Sequence, residues 1–352
     1  MTQTGSGNAA VTGQDIPGLD LTALRAYFAA AARPGAIRGP LRARMLAGGK
    51  SNLTYDVTDG HGHWVVRRPP LGHVLATAHD MAREYRVISA LAGTEVPVPA
   101  TYLLCEDPSV IGAPFYVMER VEGTAYRTAA QLRELGAQRT RVIAARMVDT
   151  LAGLHAVDPA AVGLADFGRP QGFLARQVRR WKQQLDASRS RDLPGADELH
   201  AALAARIPAE SDVAIVHGDF RLDNLLIGDG DRITAVLDWE MATLGDPLTD
   251  VALLLAYQRL AHLETGYAAA DAAIAPGFPS PEQIADSYAG RSGRDLSHLG
   301  FHLGLAYFKL AVICEGIHYR YTLGQTLGEG FGSIGAATEP LIQSGLATMR
   351  GA

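Results

Sequence analysis

Apolar positions recur along this chain at two periods, and the change of period divides it. Spacings of three and four run through 141–155, 172–187, 248–260, 299–321 and 334–350, so the C-terminal half is predicted to be mainly helical. Upstream, short apolar and β-branched runs bounded by Gly and Asp predict strands. One leads through Met45 into Gly48-Gly49-Lys50-Ser51-Asn52, a second covers 53–58, and a third follows the Asp59-Gly60 turn signal at 63–67. Alternation in that third strand puts His63, Val65 and Arg67 on one face and Trp64, Val66 and Arg68 on the other. Another strand is predicted at 115–118. A helix is predicted over 77–92, with Met81, Tyr85, Ile88 and Leu91 on one face and Glu84 beside them. A carboxylate on an apolar stripe needs a partner. Arg67 is the candidate, and a surface pair with Arg83 or Arg86 is the alternative.

Three further strand signals, 213–216, 225–227 and 232–237, enclose the residues that carry chemistry. The first enters His217-Gly218-Asp219-Phe220-Arg221-Leu222-Asp223-Asn224 and the second leaves it. The turn Gly228-Asp229-Gly230-Asp231 then sends the third back toward Asp238-Trp239-Glu240. This hairpin is expected to return Asp238 to the side of Asn224. Phosphoryl transfer needs a carboxylate to orient and deprotonate the attacking hydroxyl, and oxygen ligands to hold Mg²⁺ against a triphosphate. Asp219 precedes Asn224 by the interval between the Asp and Asn of the kinase pattern H-R-D-x-x-x-x-N. The reading is therefore Asp219 as base, with Asn224 and Asp238 as metal ligands and Glu240 as a further candidate ligand. Asp166-Phe167-Gly168 precedes this loop and cannot be the metal-binding triplet that must follow it; it is expected to be a loop.

With H-G-D-x-x-x-x-N, D-W-E and the later Gly245-Asp246-Pro247-Leu248-Thr249-Asp250 in place, the chain resembles the aminoglycoside phosphotransferase and choline kinase superfamily from about Leu41 to Leu346. Gly48-Gly49-Lys50-Ser51-Asn52 and Val66-Arg67-Arg68-Pro69-Pro70 carry a closer likeness to the phosphotransferase group related to the kinase-like domain of acyl-CoA dehydrogenase family members 10 and 11. The resemblance implies an α+β, bilobal protein-kinase-like fold. It has a small antiparallel-sheet N-lobe with one helix and a larger, mainly helical C-lobe. The expected division is a flexible tail at 1–22, a nucleotide-binding N-lobe at 23–121 and a C-lobe at 122–352 that carries the catalytic loop and the acceptor-binding helices. It also implies nucleotide contacts. Gly48, Gly49, Ser51 and Asn52 would form a flap over the phosphates. Arg67, paired with Glu84, would stand where protein kinases carry lysine, as choline kinases also use Arg there, and Arg68 is the fallback if the register is off by one. Main chain around Glu119 to Val121 would meet adenine. His217 and Asp250 would support the loop rather than react. The cofactors are ATP, or GTP, with Mg²⁺.

Composition narrows the setting. A formal net charge of -5 argues against a nucleic-acid partner. No apolar run is long enough to cross a bilayer, so no membrane partner is expected. Met1 to Gln14 lack the charged start and apolar core of a secretory signal. Cys105 and Cys314 have no C-x-x-C spacing and are expected as buried thiols in a reducing cytoplasm. Oligomeric state is not written in the sequence.

Little chain separates Asp238 from Gly245-Asp246-Pro247, which leaves no long platform for a peptide. The partner is expected to be a small molecule presenting a hydroxyl. A polycationic antibiotic would call for an acidic pocket, and a hydroxyacyl-CoA or other phosphorylated acceptor for a basic one. Arg176, Arg179, Arg180, Lys182, Arg189 and Arg191 lean toward the second, or form a solvated helix face. Trp181, Phe301, Tyr307, Phe308 and Tyr319 are acceptor-site or core aromatics. A non-catalytic nucleotide-binding protein is disfavoured, because Asp219, Asn224 and Asp238 are all retained.

Overall fold

The computed structural model describes residues 16–31, 37–46, 52–72, 79–209, 212–263, 271–325 and 332–351. The chain divides into two units, Met1–Ala92 with Val98–Val121 and Gly93–Pro97 with Glu122–Ala352. Residues 93–97 belong with the second unit, and the Pro97 carbonyl accepts the Val236 N–H at 2.8 Å.

In the first unit, helix α1 (Leu21–Ala30) precedes β1 (Arg42–Met45), β2 (Leu53–Thr58), β3 (His63–Arg68), helix α2 (Met81–Leu91), β4 (Thr101–Cys105) and β5 (Phe115–Glu119). The strands form one antiparallel sheet in the order β1-β2-β3-β5-β4. Its two faces follow the alternation read from β3. Tyr55, Val57, Trp64, Val66, Phe115 and Val117 form one core with Leu24 and Phe28 of α1, while Arg67 lies opposite with its register partners Thr54 and Tyr116. Asp20 caps α1 by accepting the Thr22 and Ala23 N–H groups, and Asp80 caps α2 by accepting that of Arg83.

Two expectations change here. The unit carries a second helix, α1, and the span 1–22 expected as a tail includes chain that is anchored from Ile16. Ile16 and Leu19 are buried, the Tyr55 hydroxyl donates to the Pro17 carbonyl at 2.5 Å, and Arg68 donates to that of Gly18 at 2.5 Å. Apolar anchoring at Ile16 and Leu19 outweighs the polar composition that precedes them.

The second unit opens with α3 (Ala129–Leu135), α4 (Ala137–Ala156), α5 (Phe173–Ser188) and α6 (Ala196–Ala205). Short strands β6 (Ala214–Val216), β7 (Leu225–Ile227), β8 (Ile233–Val236) and β9 (Thr243–Gly245) follow, then α7 (Leu248–Ala261), α8 (Pro281–Ser292), α9 (Leu299–Thr322) and α10 (Thr338–Gly351). The strands pair antiparallel as β6-β9 and β7-β8. Helix α9 is the centre of a core shared with α5, α6, α7 and α10. It is 24 residues long and apolar enough to cross a membrane by length and composition, contrary to the expectation of no such segment. Yet 67% of its most apolar window is buried in the fold, as befits a helix packed on most sides. The carboxylate of Glu315 is buried on it and accepts hydrogen bonds from Ser190 and Arg191.

Candidate active site

Leu237 explains how the site assembles in the second unit. Its N–H donates to the Asn224 carbonyl at 2.8 Å, and its own carbonyl lies 2.9 Å from His217 Nε2. A carbonyl can only accept, so Nε2 carries the imidazole proton, and Nδ1 accepts the Asp219 N–H at 3.2 Å. Both ends of the 217–224 loop thus grip the residue before Asp238, and the β7-β8 hairpin returns the chain there to Asn224. Asp238 itself is left-handed, at φ 68° and ψ 60°, a conformation uncommon outside glycine. Trp239 anchors the next position. It is 1% exposed and donates its indole N–H to the Val236 carbonyl at 2.9 Å. Glu240 lies in the single 3-10 turn Trp239–Met241.

Within the loop, Asn224 Nδ2 donates to the Asp219 carbonyl at 2.9 Å and to Asp219 Oδ2 at 3.3 Å. Since the amide nitrogen is spent on the loop, Oδ1 is the atom of Asn224 suited to a cation. Gly218 has φ 83°, and a Cβ there would come within 2.8 Å of the Met241 carbonyl oxygen. This is the physical reason for glycine where protein kinases carry arginine.

Asp250, fully buried on α7, braces the loop from behind. Its Oδ2 accepts the His217 N–H at 2.7 Å and its Oδ1 that of Gly218 at 2.8 Å. His155 Nε2 lies 3.2 Å from Oδ2, and its Nδ1 meets the Tyr288 hydroxyl at 2.7 Å. Burial alone would push this carboxyl up, but His155, His217 and the donated N–H groups outweigh it and hold it below the ordinary carboxylate range.

Tyr257 and Lys309, which no motif announced, complete the surroundings of Asp219 together with Arg221 from the motif itself. The Tyr257 hydroxyl donates to Oδ1 at 2.9 Å, Arg221 lies 4.6 Å above the Tyr257 ring and pairs with Asp223, and Lys309 Nζ donates to the Gly218 carbonyl at 3.0 Å. Burial and the neighbouring Asp219 raise the phenol well above its usual range, so Tyr257 is a hydrogen donor here. Burial also lowers Lys309, against the pull of Asp219 and Asp250. One signal for Tyr257 was available: it lies two helical turns beyond Asp250 and so on the same face of α7.

The first unit settles the partner of Arg67. Its Nε lies 3.1 Å from Glu84, whose side chain is 1% exposed. Arg68 turns to the opposite face and donates to the carbonyls of Gly18 and Ile111. Asn52 is buried at 1% exposure, with Oδ1 2.7 Å from His79 Nδ1, so its side chain is held inside the unit. Gly48, Gly49 and Ser51 lie outside the described residues. The Glu119 N–H donates to the Ala100 carbonyl and its carboxylate accepts the Ala100 N–H. The Val121 carbonyl accepts from Arg120.

The basic segment around α5 is largely spent. Lys182 pairs with Asp186, Arg189 with Asp192 and Asp197, Arg191 with Glu315, and Arg176 donates to backbone carbonyls. Trp181, Phe301, Tyr307 and Phe308 are core residues. Asp166-Phe167-Gly168 is a loop, as expected.

Among the described residues, no group of three or more His, Cys, Asp or Glu side chains is arranged to hold a metal. Mg²⁺ takes one or two protein oxygens and draws others from phosphate and water. An amide oxygen from Asn224 and a carboxylate from Asp238 fit that donor set.

A family model described as "Phosphotransferase enzyme family" matches residues 42–284. Acyl-CoA dehydrogenase family member 11 of Gallus gallus is 38% identical over 319 residues, covering 88% of this chain and 40% of its own length. The chain thus spans about two fifths of that relative. A crystal structure from Ralstonia eutropha, named only provisionally as an aminoglycoside phosphotransferase, superposes with TM-score 0.82 at 33% identity, covering 94% of this chain and 98% of its own. A thermostable mutant of aminoglycoside phosphotransferase APH(4)-Ia, in ternary complex with ADP and hygromycin B, superposes with TM-score 0.57 at 17% identity, covering 87% and 93%, a likeness of fold alone.

Proposed function

Because the chain belongs to the phosphotransferase enzyme family, we propose that it is an ATP-dependent, or GTP-dependent, small-molecule O-kinase that transfers the γ-phosphoryl group to an acceptor hydroxyl. One observation carries this reading: Leu237 is tied to both His217 and Asn224, which sets Asp238 beside the loop that bears Asp219.

Asp219 orients the acceptor hydroxyl and takes its proton. Asn224 and Asp238 are the residues that would hold Mg²⁺. When bound, the ion neutralises charge on the transferring phosphoryl group. On the first unit, Arg67 is the phosphate-facing cation, and Glu84 fixes its guanidinium. Asp250 and His217 keep the loop in one conformation. The acceptor is read as a small metabolite, with a hydroxyacyl-CoA favoured by the likeness to acyl-CoA dehydrogenase family member 11. The second reading, an antibiotic kinase, draws on the fold shared with the hygromycin-bound structure. Two buried free cysteines, Cys105 and Cys314, fit a reducing, cytoplasmic setting.

The test is nucleotide turnover with Mg²⁺ across hydroxyacyl-CoA thioesters, amino-alcohols, aminoglycosides and macrolides. Acceptor-stimulated release of ADP with formation of a phosphomonoester supports the reading. Nucleotide bound but never consumed identifies a non-catalytic binder.

A further inference from the structure

Asp250 and Tyr257 stand two turns apart on α7, and each addresses the same loop. Asp250 holds its main chain at His217 and Gly218. Tyr257 holds a side chain, that of Asp219. Lys309 adds a third point from α9 by donating to the Gly218 carbonyl. The main chain of residues 217–218 is therefore already secured without Tyr257, whose hydroxyl has a different target.

The two oxygens of Asp219 differ in their surroundings. Oδ1 accepts the Tyr257 hydroxyl at 2.9 Å. Oδ2 has longer contacts, 3.3 Å to Asn224 Nδ2 and 4.0 Å to Arg221 Nε. A carboxylate with one oxygen tied cannot spin about its terminal bond, and the other oxygen keeps one direction. Arg221 over the phenol ring and the packing of the half-buried Tyr257 against the helical core fix the donor in turn.

Building on the kinase reading above, we infer that Tyr257 is a positioning residue that assigns the two oxygens of Asp219 their separate tasks, Oδ1 as the anchored atom and Oδ2 as the proton acceptor. In the transfer step, the acceptor O–H bond breaks and its proton passes to Oδ2. The electron pair left on the acceptor oxygen forms the new O–P bond. The bond from the γ-phosphorus to the bridging oxygen breaks, and the nucleoside diphosphate leaves with that pair. Tyr257 keeps its proton throughout.

The test uses the full chain with MgATP and whichever panel compound gives the fastest turnover. Tyr257→Phe removes one oxygen and keeps the ring under Arg221. It is expected to lower kcat roughly ten- to a hundredfold, the size of a lost hydrogen bond to a charged group, with KM for ATP unchanged. In an Asp219→Asn background the same substitution should change kcat by less than about twofold, because the group being positioned is gone. Equal fold-losses in both backgrounds, or a Tyr257→Phe kcat within about twofold of wild type, would overturn the inference. If Tyr257→Phe lowers the unfolding midpoint, Tyr257→Gln and Tyr257→Leu give a second comparison at similar side-chain volume. Gln retains an N–H donor and should turn over at least about fivefold faster than Leu, and equal rates would again overturn the inference. Wild-type turnover that is absent removes the kinase reading itself, and turnover that survives Asp219→Asn undiminished removes the base role of Asp219 and the inference with it. Turnover that Asp219→Asn abolishes and Tyr257→Phe spares removes only the role of Tyr257.

Discussion

Glu84 on α2 and Arg67 on β3 form an ion pair 3.1 Å apart, with their side chains 1% and 12% exposed. Breaking one partner of such a pair leaves a buried charge uncompensated. Glu84→Gln should therefore destabilise the protein by about 3 kcal/mol, read as a lower midpoint in urea. It should also raise KM for ATP roughly tenfold, because the released guanidinium loses its orientation. An unchanged KM would detach Arg67 from the nucleotide.

Asp219 is 28% exposed and held by Tyr257 and Asn224. Asp219→Ala should reduce kcat by roughly 10² to 10⁴, the usual span for a general base. The thermal midpoint should move little, since the braces at His217 and Gly218 remain. Steady-state kinetics beside a melting curve checks both.

Asp250 makes stability depend on pH. Its folded carboxyl is held below the ordinary range, so its contribution is complete above an unfolded value of about 3.9 and is lost as pH falls through the lower folded one. Asp250→Asn should cost about 3 kcal/mol at neutral pH, because an amide can accept from only one of the two loop N–H groups. Urea titrations from pH 7 down to the acid range should give a shallower acid slope for the variant than for wild type.

Divalent-cation removal should abolish turnover, and added Mg²⁺ should restore it. With the ligand roles assigned to them, Asn224→Ala and Asp238→Asn should each raise the Mg²⁺ concentration needed for half-maximal rate by roughly tenfold or more. Rates that are independent of chelator would sink the assignment of both residues.

Local patterns in this chain determined much of the outcome. The spacing of Asp219, Asn224 and Asp238, together with the turn at 228–231, foretold the hairpin, because strand pairing and turn chemistry act over a few residues. Alternation in β3 sorted Arg67 from Arg68 by face. The helical runs of α4, α5, α7, α9 and α10 were legible because an amphipathic face repeats within one element. Tertiary structure alone decided which distant groups meet. Tyr257 on Asp219, Lys309 on the Gly218 carbonyl, and His79 on Asn52 depend on how separately formed elements pack, and no local rule carries that information. Tertiary packing likewise spent Arg189 and Arg191, just beyond α5, on Asp197 and Glu315, and buried Ile16 and Leu19, whose polar preface reads as a tail. Burial and charge pairing are properties of the assembled fold, so the sequence named the candidate reacting groups and the packing chose their supports.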